Sequence, residues 1–316
     1  MSLAGADRAR RTRPSLPPQM HVFVRDWLSA NFIVLRSGDG GVVVDSGYGK
    51  HVPLTLALVA SRMGLDGAPL AKLVNTHWHS DHLGGNAALQ RAYGCAIAVP
   101  AGEAPLIAAW DQRRLLLDYA GQRAERFVAT EILEPGSTHV WGDLEWRLLA
   151  APGHDMAALV FFNDEHRILI SGDALWQNGY GFVMPPDIDP DALPATRATL
   201  DLIAGLDVRH VIPGHGEPFT GLDDALARAY RRTEAFEADP LRLARHALKV
   251  VLVFALLDRE RLPLAGMPDY VERVEMFREF NARYYKLSPE TLAEQLVSEL
   301  ERAGAVRRED GYLLPR

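Results

Sequence analysis

Residues 19–235 of this 316-residue chain are expected to form an α/β domain, followed over residues 236–316 by a smaller, mostly helical one. Short apolar runs alternate with helical stretches from residue 19 onward, the pattern of a layered α/β domain. Several of those runs end directly at a His- or Asp-bearing segment. Beyond about residue 236 the strand pattern gives way to helices. The length is enough to bury a sizeable core. Hydrophobic content of 48% and charged content of 24% are ordinary for a globular chain.

Residues 1–18 are rich in arginine and then in proline, with no apolar run after the arginines, so they read as a flexible tail and not a secretory signal. No stretch reaches the roughly 20 apolar residues of a membrane span. The one cysteine, Cys95, permits no internal disulfide and fits a reducing compartment. Together these features predict a cytoplasmic protein with no membrane partner.

Residues 19–24 and 31–35 read as strands, and Ser37-Gly38-Asp39-Gly40-Gly41 turns the chain into a third at 42–44. Residues 51–63 form a helix. An apolar run at 70–75 has a strand core at Leu73 and Val74, and residues 83–91 begin a helix. Between them stands His77-Trp78-His79-Ser80-Asp81-His82, which therefore lies on a strand-to-helix loop. Alternate side chains of an extended segment share a side. His77 and His79 thus converge on one metal, at about 2.0–2.1 Å from nitrogen to zinc. Asp81 and His82 fall where the chain turns and face a second. Gly84 and Gly85 leave room for backbone beside them.

Residues 93–99 are an apolar strand in which Cys95 packs as a small hydrophobe. Helical segments at 104–110 and 113–119 interrupt the alternation. They either cover a substrate cleft, with Trp110, Tyr119 and Phe127 lining it, or only extend the outer helical layer.

Strands at 147–150, 167–171 and 208–212 then deliver His154, Asp173 and His215, each just after a glycine. Several strands presenting ligands at their carboxyl ends is how a rigid scaffold builds a metal site. The loop 175–182 leaves Asp173 directly, and Tyr180 within it is a candidate hydrogen-bond donor to a developing oxyanion. His21, His51, His139, His166, His210 and His246 lack ligand context.

In the C-terminal portion, residues 248–257 read as a buried helix. Ser288 and Pro289 start a helix whose apolar positions are Leu292, Leu296, Val297 and Leu300. Glu309-Asp310-Gly311 makes a hairpin turn between short strands. A helix followed by a β-wing is a winged-helix pattern.

The His-x-His-x-Asp-His motif, followed in order by His154, Asp173 and His215, resembles the metallo-β-lactamase superfamily over roughly residues 20–235. Asp45, in Val42-Val43-Val44-Asp45-Ser46-Gly47, matches a further family element. The resemblance implies a four-layer αβ/βα sandwich with the site at one edge of two packed sheets. It implies that His77, His79 and His154 hold one metal, that Asp81, His82 and His215 hold another, and that Asp173 bridges them. Some relatives in that superfamily carry a winged-helix module like this tail. The antibiotic-degrading subclass with a cysteine ligand is disfavoured, because Asp173 stands at that position.

The cofactors expected are two divalent metal ions, zinc first, with iron or manganese as alternatives for an imidazole and carboxylate site. A pair about 3.5–4 Å apart lowers the pKa of a shared water toward about 7. The leading expectation is therefore a binuclear hydrolase acting on a small carbonyl substrate, a thioester or lactone-type ester, with Asp81 and Tyr180 as catalytic residues. A phosphodiesterase or ribonuclease is the second reading. A mononuclear iron persulfide dioxygenase is the third, and His82 and His215 argue against it. The non-enzyme reading is a nucleic-acid-binding winged helix. Residues 240–316 hold 13 Lys/Arg against 12 Asp/Glu, and the chain carries a net −7, so phosphate contact lacks a positive face. The module is expected instead to pack on the catalytic domain, shaping substrate access or a homodimer interface.

Overall fold

The computed structural model describes residues 16–38 and 40–316, so the expected tail falls almost wholly outside the described residues. The first sheet contains β1 (Met20–Phe23), β2 (Phe32–Ser37), β3 (Gly40–Val44), β4 (Leu70–Val74), β5 (Ala96–Pro100) and β6 (Glu131–Leu133), side by side in that order. Its first three strands are antiparallel, and β3 to β6 run parallel. Parallel pairing requires crossovers. They are supplied by α1 (Val52–Ala60), the single turn α2 (Ser80–Leu83), α3 (Asn86–Tyr93), α4 (Ala104–Ala109) and α5 (Leu117–Ala120).

The second sheet has β7 (Thr138–Trp141), β8 (Leu144–Ala150), β9 (Leu159–Asn163), β10 (Ile168–Gly172) and β11 (His210–Pro213), in the spatial order β11-β10-β9-β8-β7. Only β10 and β11 are parallel, joined through α6 (Ala192–Ala204). A long α7 (Leu222–Ala238) follows.

Side-chain alternation along the strands builds three cores. Ile33, Leu35, Val44 and Val74 of the first sheet face Trp146, Leu148, Phe161 and Ile170 of the second. On the outer face of the first sheet, Phe32, Val34, Val43 and Leu73 pack with Val59, Leu83 and Leu89 of the helices. On the outer face of the second, Val160, Phe162 and Leu169 pack with Leu193, Leu200 and Ala225. The result is helix, sheet, sheet, helix, the expected sandwich. Burying each large apolar side chain contributes about 1.5–3 kcal/mol. Cys95 is buried in the first outer core, and burial pushes its thiol pKa up.

After α7 the Asp239 side chain accepts the Arg242 N–H at 3.0 Å, and Pro240 takes the first position of α8 (Pro240–Arg259). Then follow β12 (Leu262–Pro263), α9 (Met267–Arg273), α10 (Glu275–Phe280), α11 (Pro289–Arg302), β13 (Val306–Glu309) and β14 (Tyr312–Pro315). The last strands form a small sheet in the order β12-β14-β13. The expected helix-then-hairpin order is present. Its core joins Leu248, Val251 and Leu252 to Phe277, Leu296 and Leu313, and it also takes in Tyr119 and Ala120 of α5. Among the described residues, no helix is long and apolar enough to cross a membrane.

Candidate metal centre

The parallel strand β4 ends beside Asn75 and Thr76, and the chain stays extended to His79 before α2 begins. His77 and His79 are therefore presented from extended backbone, while Asp81 and His82 come from the first helical turn. His154 follows β8, Asp173 follows β10 and His215 follows β11. All seven residues expected as ligands meet at one edge of the sheets, in two groups whose ligand atoms lie within 4.8 Å of one another.

In the first group the Nδ1 of His79 lies 3.2 Å from the Nε2 of His77 and 2.7 Å from the Nε2 of His154. In the second, the Nε2 of His215 is 2.9 Å from the Oδ2 of Asp81, and the Nε2 of His82 is 3.8 Å from it. Asp173 stands between the groups. Its Oδ1 is 3.4 Å from the His82 Nε2, and its Oδ2 is 3.3 Å from the His154 Nε2 and 3.9 Å from the His215 Nε2.

Hydrogen bonds behind these rings decide which nitrogen each one offers. His82 donates through Nδ1 to the Oδ2 of Asp45 at 2.8 Å, and the Thr76 hydroxyl donates to the same oxygen at 2.8 Å. With its proton committed there, Thr76 Oγ1 accepts from the Nδ1 of His77 at 3.0 Å. His154 donates from Nδ1 to the Phe182 carbonyl. The Nε2 of each of these rings is thereby left facing the centre and free of the anchoring bond. Asp45 also accepts the Thr76 N–H at 2.9 Å, and it holds this position with φ of 59°. Strain of that kind persists only where surrounding contacts enforce it.

The electrostatics fit cations. Burial keeps His77 well below the usual imidazole value, brings His79 down to about 3 and lowers His154, so all three rings are neutral. His82 goes the other way. Burial opposes its charge, but Asp173, Asp45 and Asp81 outweigh burial and hold it well above the usual value. Asp81 and Asp173 sit below the carboxylate range despite burial, held there chiefly by His82 and His215. The buried Nε2 of His82 makes no hydrogen bond. A buried imidazole nitrogen without a partner, facing two ionised carboxylates, is the donor set that a divalent ion completes. Backbone comes unusually close as well. A Cβ on Gly214 would lie 2.2 Å from the Asp173 Oδ1, and one on Gly181 would lie 2.4 Å from the His154 Nδ1.

The cleft above the centre is mostly apolar, with Trp27, Leu116, Trp176, Phe182, Val251 and Phe254 in its walls. Trp27 packs on His215 with ring centroids 4.4 Å apart, and the indole N–H of Trp176 donates to the Asp173 Oδ1 at 3.1 Å. Ser80 donates to the Oε1 of Gln122, also in the wall, at 2.6 Å. The 102–128 segment thus does reach the cleft, but through Leu116, Ala120 and Gln122. The aromatic residues expected there lie elsewhere. Trp110 packs edge-on against Phe127, and the Tyr119 hydroxyl donates to Glu279 at 2.8 Å. Tyr180 is also displaced from its expected role. Its ring is buried in the second outer core, and its hydroxyl pairs with Thr233 at 2.8 Å. The remaining six histidines belong to neither group.

The model of the metallo-beta-lactamase superfamily matches residues 25–215. Hydroxyacylglutathione hydrolase of Hyphomonas neptunium is 31% identical over 114 residues, which are 36% of this chain and 37% of that enzyme. Acyl-coenzyme A thioesterase MBLAC2 of Bos taurus is 27% identical over 206 residues, 60% of this chain and 74% of the relative. The chain therefore spans between about a third and three quarters of the length of these relatives. The crystal structure of a beta-lactamase domain protein from Burkholderia ambifaria superposes with a TM-score of 0.58 at 23% identity, covering 96% of this chain and 94% of that one, a likeness of fold that includes the C-terminal region. On the matched family model, the sandwich and the two converging ligand groups, this chain belongs to the metallo-beta-lactamase superfamily.

Proposed function

We propose that this protein is a binuclear metal-dependent hydrolase of thioesters. The observation that carries the reading is the Asp173 carboxylate, which lies within 4 Å of ring nitrogens from both ligand groups. His77, His79 and His154 would hold one ion, Asp81, His82 and His215 the other, and Asp173 would reach both. Zinc suits this donor set, as do iron and manganese. When bound, such a pair supplies an ionised water as nucleophile and Lewis-acid polarisation of the attacked carbonyl.

The chain's own residues govern the rest. Trp176 fixes Asp173 through its indole N–H, and Trp27 covers the face of His215. The apolar walls keep bulk water away and suit an apolar acyl group. Gln122 commits its Oε1 to Ser80, which leaves its amide NH2 as a donor at the cleft wall.

The choice of thioester follows from what the walls lack. Outside the seven proposed ligands, no Lys, Arg, Tyr, His or acid is among the described residues lining the cleft. A leaving group must depart without protonation by a side chain. A thiolate, whose conjugate acid has a pKa of about 8.5, can do so, whereas an alkoxide or ribose oxygen needs a proton donor. The walls also add no Lys or Arg side chain to hold the charged oxygens of a phosphodiester. The names of the two curated relatives point the same way.

The test is thiol release from short and long acyl-thioesters, run beside lactones, phosphodiesters and RNA, on protein of measured metal content. Two ions per chain are expected, with thioester turnover abolished by a chelator, restored by zinc or iron, and lost in Asp81→Ala. One iron per chain without thioester turnover would overturn the reading.

A further inference from the structure

On the far side of the 173–182 loop, α7, α8 and α11 enclose a second cavity of opposite character. The loop is its partition. Gly181 packs against the His154 ring on one side, while Gly179 packs against the Arg232 guanidinium on the other. The second cavity is lined by Arg232, Arg242, Arg245, His246 and Lys249, and Glu299 is the one acid among its described lining residues.

One carboxylate does not neutralise these cations. The Arg232 guanidinium lies 4.9 Å from the Tyr180 ring centre and 5.4 Å from that of Phe236, and it donates to the Nε2 of His246 at 2.6 Å. No carboxylate among the described residues pairs with it, and burial lowers its pKa. An arginine does not give up its proton, so a charge sits there uncompensated. His246 is kept neutral by burial and then by Arg232, its pKa down to about 3, which makes it an acceptor and not a competing cation. Arg245 lies over Tyr285 at 4.2 Å and donates through Nη2 to Gln295 at 2.9 Å, while its buried Nη1 has no partner. Glu299 is shared, 3.2 Å from Lys249 and 3.7 Å from Arg245. A half-buried cation without a carboxylate partner is costly to keep. Guanidinium forks gathered around one cavity match tetrahedral oxyanions bearing more than one charge.

We propose that this cavity binds the phosphate groups of a phosphorylated small molecule, at a site separate from the metal centre. The inference does not depend on the proposed hydrolysis, because it is read by binding alone.

The experiment is calorimetric titration of the full-length, metal-loaded protein at constant ionic strength, with inorganic pyrophosphate in one arm and coenzyme A, a phosphorylated thiol, in the other. Saturable one-to-one binding of either is expected, and at least tenfold weaker binding in the double variant Arg242→Gln/Lys249→Gln. Tighter binding of pyrophosphate than of coenzyme A assigns the site to free phosphates, and the reverse order to a phosphorylated carrier. Arg232→Gln, checked for folding by circular dichroism, should weaken binding further. Equal affinity in wild type and double variant would place the anion at the metal ions and overturn the proposal, as would the absence of saturable heat in both arms.

Discussion

At Asp45 one carboxylate accepts from the Thr76 N–H, the Thr76 hydroxyl and the His82 ring, and so sets the tautomers of His77 and His82 together. Asparagine tolerates the left-handed backbone found there but replaces an acceptor with an NH2 group. Asp45→Asn should therefore fold and weaken metal binding by about 10- to 100-fold, measured by competition with a chromogenic chelator. His246 gives a prediction in pH. Its folded pKa is about 3 because burial disfavours the charge, whereas an unfolded imidazole protonates near 6.5. As pH falls below about 6.5 the unfolded chain takes up a proton that the folded chain refuses, so stability is present above that value and lost below it. Between pH 7 and pH 5, His246→Gln should lose about 1–2 kcal/mol less stability than wild type in urea titrations. Equal losses in both proteins would contradict the assignment. At this scale the convergence of the seven candidate ligands was legible because their spacing carries it directly. Trp27 was not, since it reaches His215 only through the fold. Tyr180 was misjudged because closeness in sequence to Asp173 was taken for closeness in space. The Trp176 N–H donates to the Gly179 carbonyl, and with Gly179 at φ 124° the chain after that turn directs the Tyr180 ring into the core.

The strand ends act as an element-level device. The segment after β11 passes so close to Asp173 that only glycine fits at position 214. In Gly214→Ala the new methyl group would meet the Asp173 Oδ1 at 2.2 Å and the His82 Cε1 at 2.9 Å. Displacing a ligand of this kind by ~1 Å should lower kcat by about 10- to 100-fold, with metal content per chain falling and far-ultraviolet circular dichroism unchanged. Strands β1 to β5, β8, β10 and β11 were readable from apolar runs closed by turn residues, whereas β6, β7 and β9 were not. The insertion was readable as helical, yet not its facing. α4 and α5 are 6 and 4 residues long, too short for a periodic apolar stripe to say which side meets the cleft.

Across the whole molecule, α8 ties together regions that looked separate in sequence. Its Leu243 packs in the core beneath the second sheet, Val251 and Leu252 pack in the C-terminal core, and Phe254 meets Tyr48 with ring centroids 5.0 Å apart. Lys50 donates to the carbonyls of Leu257 and Asp258 at the end of the same helix. A helix with so many attachments cannot melt alone. Calorimetry of the metal-loaded chain should show one cooperative transition, and two resolved transitions would mean that the C-terminal region unfolds independently. Sequence could mark where helices replace strands, but a helix shared between cores is a tertiary fact. The buried position of Cys95 has a practical sequel. The one cysteine being shielded, the folded chain should stay colourless with a chromogenic disulfide reagent, and colour appearing in a thioester assay should report released thiol.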